Sequence, residues 1–188
     1  MVEKLALVRS QLRLQHYPGQ TLTIKALRAN LDRWRQTEDF VPDVLILDYI
    51  AKLRTSSDNY RIDLMRAADE LRALAEDYNL AAITAQQINR EGAMTSKLLT
   101  RAFIAEDFSM INTADQILIL NRTDEEKALG LARVWVDKVR DGSEGDGWGC
   151  VMSQNYAWGQ FCRDSAPLQK EEYQEMVLKL AATDAGRM

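Results

Sequence analysis

The sequence predicts an α/β fold: a mostly parallel sheet flanked by helices, with antiparallel edge strands at the carboxyl-terminal end. Three observations carry this expectation. The run Pro42-Asp43-Val44-Leu45-Ile46-Leu47-Asp48-Tyr49 is too short for a helix and reads as a strand buried on both faces, as at the centre of a parallel sheet. Segments of helical period lie on either side of it, giving an alternation of strand and helix. Past residue 130 the pattern changes to apolar and polar residues in alternation, with Val134, Val136 and Val139 among the apolar ones.

Taken in order, Val2 to Gln11 reads as the tail of a helix leading into a short strand, Leu12-Arg13-Leu14-Gln15-His16, which Pro18-Gly19 ends. Thr21 and Thr23 offer capping oxygens, and Ile24, Leu27, Leu31 and Trp34 recur at helical spacing through about Gln36. The strand Val44 to Asp48 follows directly, completing with Leu12 to His16 a βαβ unit whose parallel strands need that helix as their crossover. After a polar turn, Ile62, Met65, Leu71, Leu74 and Tyr78 line a long helix from about Tyr60 to Tyr78, with Asn79 as its terminator, and Leu80 to Ala85 is a third strand. A loop from Glu91 to Thr100, a helix from about Leu99 to Met110, and a fourth apolar strand from Gln116 to Leu120 come next. The last strands, Leu131 to Val139, Gly149 to Asn155 and Trp158 to Arg163, read as antiparallel. Pro167 then introduces an amphipathic helix from Gln169 to Leu180 and a tail. The resulting division is 1–166 as a main domain and 167–188 as a carboxyl-terminal helix and tail.

Bulk properties exclude several classes. At 188 residues and 46% hydrophobic content, the chain can bury one substantial core. Its net charge of -4 argues against indiscriminate polyanion binding, although a local basic surface can still contact nucleic acid. Residues 1–90 carry 13 basic and 12 acidic side chains and residues 91–188 carry 11 and 16, so the acidity is carboxyl-terminal. Cys150 and Cys162 make neither a disulfide framework nor a four-ligand zinc site, and His16, the one histidine, has no ligand at metal spacing. No stretch reaches the roughly 18 to 20 apolar residues of a membrane span, and the first residues lack a signal-peptide pattern. The expectation is a cytoplasmic protein with reduced thiols.

The glycine-rich run Asp141 to Gly149 resembles a phosphate loop only superficially. It lacks a Gly-Lys-Ser/Thr ending and lies between two strands, so it reads as a hairpin. Asp48 is the better candidate for chemistry. Ligands of open α/β sheets bind at the carboxyl ends of the strands, where an acid can hold magnesium directly or through water; a core strand ending in a solvated acid is the plain alternative. Further polar clusters end the neighbouring predicted strands: Gln86-Gln87-Ile88-Asn89-Arg90, Asn121-Arg122, and Lys138-Val139-Arg140.

These pieces, in this order and spacing, resemble the RecA-like ATPase domain of DnaB-type hexameric replicative helicases, phage-like versions especially. The matching segments are Pro42 to Tyr49 for the Walker B strand, Leu71-Arg72-Ala73-Leu74-Ala75 with Tyr78-Asn79 for the following helix, and Ala85-Gln86-Gln87-Ile88-Asn89-Arg90 for the third helicase motif. Ala114-Asp115-Gln116-Ile117-Leu118 matches the next strand, and Val136-Asp137-Lys138-Val139-Arg140-Asp141-Gly142 the segment bearing the arginine finger. The resemblance covers roughly Leu12 to Arg163.

It implies a RecA-like fold and an ATP- and Mg2+-dependent activity on single-stranded DNA. Asp48 looks like the acid that orders magnesium and its waters. Gln87 is similar to the glutamine that senses the γ-phosphate, a task suited to an uncharged amide that both donates and accepts. Lys138 and Arg140 resemble the basic pair inserted into the neighbouring subunit's site, where a guanidinium is worth about 10³ to 10⁵ in rate in related NTPases. An exposed edge strand kept soluble by charge is the alternative for that pair. Arg90, Lys97 and Arg101 fall in what corresponds to a DNA-facing loop, although ordinary solvated loop chemistry also accounts for them. In a hexamer, six weakly basic loops converge on one strand, so a modest charge per subunit suffices.

The sequence also departs from the family. It contains no Gly-x-x-x-x-Gly-Lys-Ser/Thr, and only 47 residues precede Asp48. The chain is therefore expected to carry the second half of an ATP site, to bind nucleotide weakly by itself, and to need a complementary amino-terminal half. Glu106-Asp107-Phe108-Ser109-Met110-Ile111-Asn112 stands where the family has an Arg-Glu-Ser/Gly-rich motif, and Asp141-Gly142-Ser143 replaces the commoner Asn-Gly-Pro. Three readings stay open: the carboxyl-terminal part of a replicative helicase, a RecA-superfamily regulatory ATPase acting on protein partners, and a non-catalytic interaction module.

Overall fold

The computed structural model describes residues 12–54, 59–87, 108–140 and 148–169. The chain divides into two compact units, Met1–Gln87 and Ile88–Met188. That division falls inside the stretch 1–166 expected to form one partial domain.

In the first unit, helix α1 (Ile24–Glu38) starts at Thr23, whose hydroxyl accepts the Ala26 N–H at 3.1 Å and satisfies an amide the first turn leaves open. Thr21, the other cap candidate, donates to the Pro18 carbonyl at 2.6 Å. Strands β1 (Val44–Leu47) and β2 (Ala81–Thr84) pair in parallel, from Val44 opposite Ala81 to Leu47 opposite Thr84. Helix α2 (Tyr60–Tyr78) is the crossover and has the predicted bounds, capped by Asn59 and ended by Asn79 in the left-handed region (φ 50°). It packs on β2 and on the short 3-10 turn Ile50–Lys52, and α1 packs on α2. Leu27, Leu31, Ile50, Leu64, Leu71 and Leu74 are buried in this core. The buried positions of α2 are Asp63, Leu64, Ala68, Leu71 and Leu74; of the expected apolar line, Leu71 and Leu74 are buried, Met65 and Tyr78 half-buried, and Ile62 is 40% exposed. Tyr78 locks the helix pair by donating to Asp32 at 2.7 Å, beside an Arg28–Asp77 ion pair at 2.6 Å. Burial, reinforced by the Asp32 hydrogen bond, holds the Tyr78 phenol above its ordinary pKa.

Two expectations fail in this unit. Residues 12–18 form no strand, so the βαβ unit expected across α1 is absent and the parallel pair is joined by α2 instead; Arg13 is held by Glu38 at 2.8 Å and lies over the Phe40 ring, while Leu14 is 93% exposed. Strand β1 is not buried on both faces: Val44 and Ile46 are 49% and 72% exposed, with Leu45 and Leu47 half-buried. Helix α2 packs on β2, while Val44, Ile46 and Ile83 stay open.

The second unit contains α3 (Phe108–Thr113), β3 (Gln116–Asn121), α4 (Asp124–Ala128), β4 (Leu131–Val139), β5 (Trp148–Asn155), the 3-10 turn Tyr156–Trp158 and β6 (Gln160–Gln169). The sheet order is β3-β4-β5-β6, antiparallel throughout. The strand Gln116 to Leu120, expected beside the other parallel strands, pairs antiparallel with β4. Its connection to β4 is shorter than the dozen or more residues a parallel crossover requires. Among the described residues, the parallel sheet thus has two strands and the antiparallel sheet four. Ile119, Ala132, Trp135 and Met152 are buried.

Pro167, expected to open a helix, lies within β6 opposite Cys150. An edge strand tolerates proline because half of its amides face away from the ladder. Residues 170–188, with the rest of that expected helix, lie outside the described residues, as do the stretch 1–11, the loop expected over 91–100, and the helix expected over 99–110 up to residue 107; its last residues, 108–110, fall in α3.

Candidate functional site

Because β1 and β2 are parallel and in register, Asp48 leaves one strand beside the point where Ala85 leaves the other. Thr84 ties these two ends together. Its hydroxyl donates to the Leu47 carbonyl at 2.9 Å and accepts the Ile50 N–H at 3.0 Å, spanning the turn that carries Asp48. The same turn is anchored below by Ile50, 1% exposed, and laterally by the Gln20 N–H to the Lys52 carbonyl at 2.9 Å. Asp48 itself is exposed and forms no ion pair among the described residues. Magnesium keeps several waters and is held by one or two carboxylates plus phosphate oxygens, so the donor set fits that ion. No cluster of three ligating side chains occurs among the described residues.

Gln87, three residues past Thr84, is exposed at the same edge. Arg90, Lys97 and Arg101 lie outside the described residues.

In the second unit, Lys138 and Arg140 reach the same place, the carboxyl-terminal turn of α3. The Lys138 ammonium donates to the carbonyls of Ile111 at 2.8 Å and Asn112 at 3.2 Å. Arg140 donates through Nη2 to Asn112 O at 2.8 Å and Thr113 O at 3.4 Å, and forms an ion pair with Asp115, Nε lying 3.0 Å from Oδ1. Cations suit this end of a helix, where carbonyls lack intrahelical donors and the helix dipole is negative. The two cations thus converge on one helix end.

Asn121 and Arg122, grouped with the strand-end polar clusters in the sequence, do something else. Asn121 is 1% exposed and donates to Ile119 O at 3.3 Å. Arg122 donates to Gln154 Oε1 at 3.3 Å and to the Tyr156 hydroxyl at 2.7 Å. Beside them lies a buried bidentate pair, Arg133 to Glu126 at 2.6 and 3.0 Å. Glu126 also closes a capping box with Thr123 at the start of α4. The sequence signal for α4 was Thr123-Asp124-Glu125-Glu126; Thr84 and Asp115 had none beyond their positions at strand ends.

The profile of the family described as DnaB-like helicase C terminal domain matches residues 4–152. The DnaB-like replicative helicase of Enterobacteria phage T4 is 28% identical over 168 residues, which is 85% of this chain and 35% of that protein. The chain thus spans about a third of the curated relative's length. Among solved structures, a DnaB-like replicative helicase determined for its interactions with primase aligns with a TM-score of 0.60 at 16% identity, over 71% of this chain and 34% of that one. A second solved structure, of an ATPase domain, aligns with a TM-score of 0.58 at 18% identity, over 69% of this chain and 48% of that one. These two likenesses show that the chain shares the fold of those structures. With the family profile covering most of the residues that build both units, the chain belongs to the DnaB-like helicase C-terminal domain family.

Proposed function

We propose that this chain is the carboxyl-terminal part of an ATP-dependent replicative DNA helicase, supplying the Walker B, phosphate-sensor and arginine-finger segments of a nucleotide site completed elsewhere. The observation that carries this reading is the carboxyl edge of the β1–β2 pair. There Asp48 leaves one strand in register beside the strand that runs on to Gln87, within a chain of the DnaB-like family.

Bound Mg2+–ATP supplies the transferable phosphoryl group and part of its charge neutralisation. The chain's own residues orient and recognise. Asp48 holds the ion's water shell, and Gln87 donates its amide to the terminal phosphate, reporting its presence to the segment that follows. Lys138 and Arg140 approach the phosphates bound to an adjacent subunit of a hexamer. Arg90, Lys97 and Arg101 contact the phosphates of single-stranded DNA. The backbone cradle and lysine of a phosphate loop come from an amino-terminal portion, and the assembly works in the cytoplasm.

The test compares the purified chain with the same chain reconstituted with a portion bearing a phosphate loop. The chain alone is expected to show no ATP turnover. The reconstituted assembly should hydrolyse ATP faster with single-stranded DNA, and Asp48→Asn should lower that turnover by roughly 100-fold or more. Turnover by the chain alone that Asp48→Ala abolishes would overturn the half-site reading. Stimulation by a protein but not by DNA would replace the helicase with a regulatory ATPase.

A further inference from the structure

Capping the end of α3 explains why two cations lie there, but it does not explain why a carboxylate lies with them. The last carbonyls of a helix already present negative charge, and Asp115 adds more. What Asp115 does contribute is constraint on one side chain. Its carboxylate forms an ion pair with Arg140, Oδ1 lying 3.0 Å from Nε, and its main-chain carbonyl accepts the Arg140 backbone N–H at 2.8 Å. The residue is therefore bound to the same partner at both its backbone and its guanidinium.

Nη2 is held separately by the Asn112 and Thr113 carbonyls. A guanidinium is planar and its five N–H donors lie in a rigid fork, so fixing Nε and Nη2 sets the direction of Nη1. Nη1 makes no hydrogen bond among the described residues, and the side chain remains 40% exposed. Lys138, bound to two carbonyls, occupies the neighbouring part of the helix end.

We propose that Asp115 is the positioning residue for Arg140, orienting its guanidinium so that Nη1 is presented outward, ready to meet a phosphoryl group bound to a neighbouring subunit. This rests on the trans-acting role of Arg140 proposed above. Pre-orientation matters because the donor must meet charge that develops only in the transition state, and a donor already in place loses no freedom at that moment. A flexible arginine would reach the same phosphate but would spend most of its time elsewhere.

The experiment uses the reconstituted helicase with Asp115→Asn, Asp115→Ala, Arg140→Ala and the Asp115→Asn/Arg140→Ala double variant. It measures kcat, KM, thermal midpoint, and retention of ADP with and without aluminium fluoride. Asp115→Asn keeps the side chain's size and removes its charge, so it separates positioning from folding. The expected result is a kcat lowered about 10- to 100-fold, with KM and ADP affinity within about twofold of the parent. Loss of the aluminium fluoride complex should accompany it, and the double variant should be no slower than Arg140→Ala alone. If Arg140→Ala is slow but Asp115→Asn matches the parent in kcat and in retention, the positioning role is overturned and the finger role stands. Additive losses in the double variant overturn it equally. If Arg140→Ala itself leaves turnover and retention unchanged, the finger reading falls. A lowered thermal midpoint in Asp115→Asn with unchanged retention assigns Asp115 to structure alone and also overturns the proposal.

Discussion

At the scale of single residues, the hydroxyl of Thr84 joins the two strand ends that frame Asp48. It spans 37 positions of sequence to reach the Leu47 carbonyl and 34 to reach the Ile50 amide. Valine has the same shape without the hydrogen bonds. Thr84→Val is therefore expected to lower unfolding stability by about 1 kcal/mol, since water partly replaces the lost partners at this exposed position. Thr84→Ser should retain most of it. Urea denaturation of both variants checks this, and equal stability of Thr84→Val and the parent would remove Thr84 from the account of how Asp48 is held. Asp48 and Gln87 were legible as candidates from their places after apolar strands. Thr84 and Asp115 were not, because a threonine or aspartate at a strand end looks the same whether or not it reaches across the fold.

At the scale of elements, local signals did well. The bounds of α2 and its Asn79 terminator were readable because helix ends are decided by hydrogen bonds within a few residues, whereas the Asn59 cap is a finding of the structure. The hairpin from β4 to β5 was readable from alternation around a glycine-rich run, and the register brings Trp135 opposite Gly149. That glycine is required by space: a Cβ there would lie 2.6 Å from the Val134 carbonyl oxygen and 3.0 Å from the Trp135 ring. The first of these is main chain and cannot rotate away. Gly149→Ala should destabilise the protein by about 2 kcal/mol, measurable as a drop in thermal midpoint; a midpoint equal to the parent's would mean that β4 and β5 are not this closely paired. Helix α4 was missed although its capping box is visible in Thr123 to Glu126, and β6 was cut short at Arg163 because Pro167 looked like a helix start.

At the scale of the whole molecule, each unit leaves apolar sheet surface open. Val44, Ile46 and Ile83 are 49%, 72% and 53% exposed in the first unit, and Leu118 and Leu120 are 61% and 50% exposed in the second. Exposed apolar sheet faces and edges promote association. The isolated chain is expected to bind a hydrophobic dye such as anilinonaphthalene sulfonate and to self-associate at micromolar concentration. Ile46→Lys should reduce both, with light scattering and dye fluorescence as the readouts. A parent chain that stays monomeric and dark to the dye would show that this surface is covered in solution.

The sequence by itself determined the elements whose signals are local: α1 with its threonine cap, α2 with its Asn79 terminator, the apolar run ending in Asp48, and the alternation of β4 to β6. It also carried the ordered motifs that identify the DnaB-like family, because their order along the chain needs no coordinates. Only the tertiary structure decided which strands pair, that one face of β1 is open, that Thr84 closes the turn around Asp48, and that Asp115 holds Arg140. These are contacts between positions far apart in sequence, and periodicity along a chain carries no record of what lies across from it.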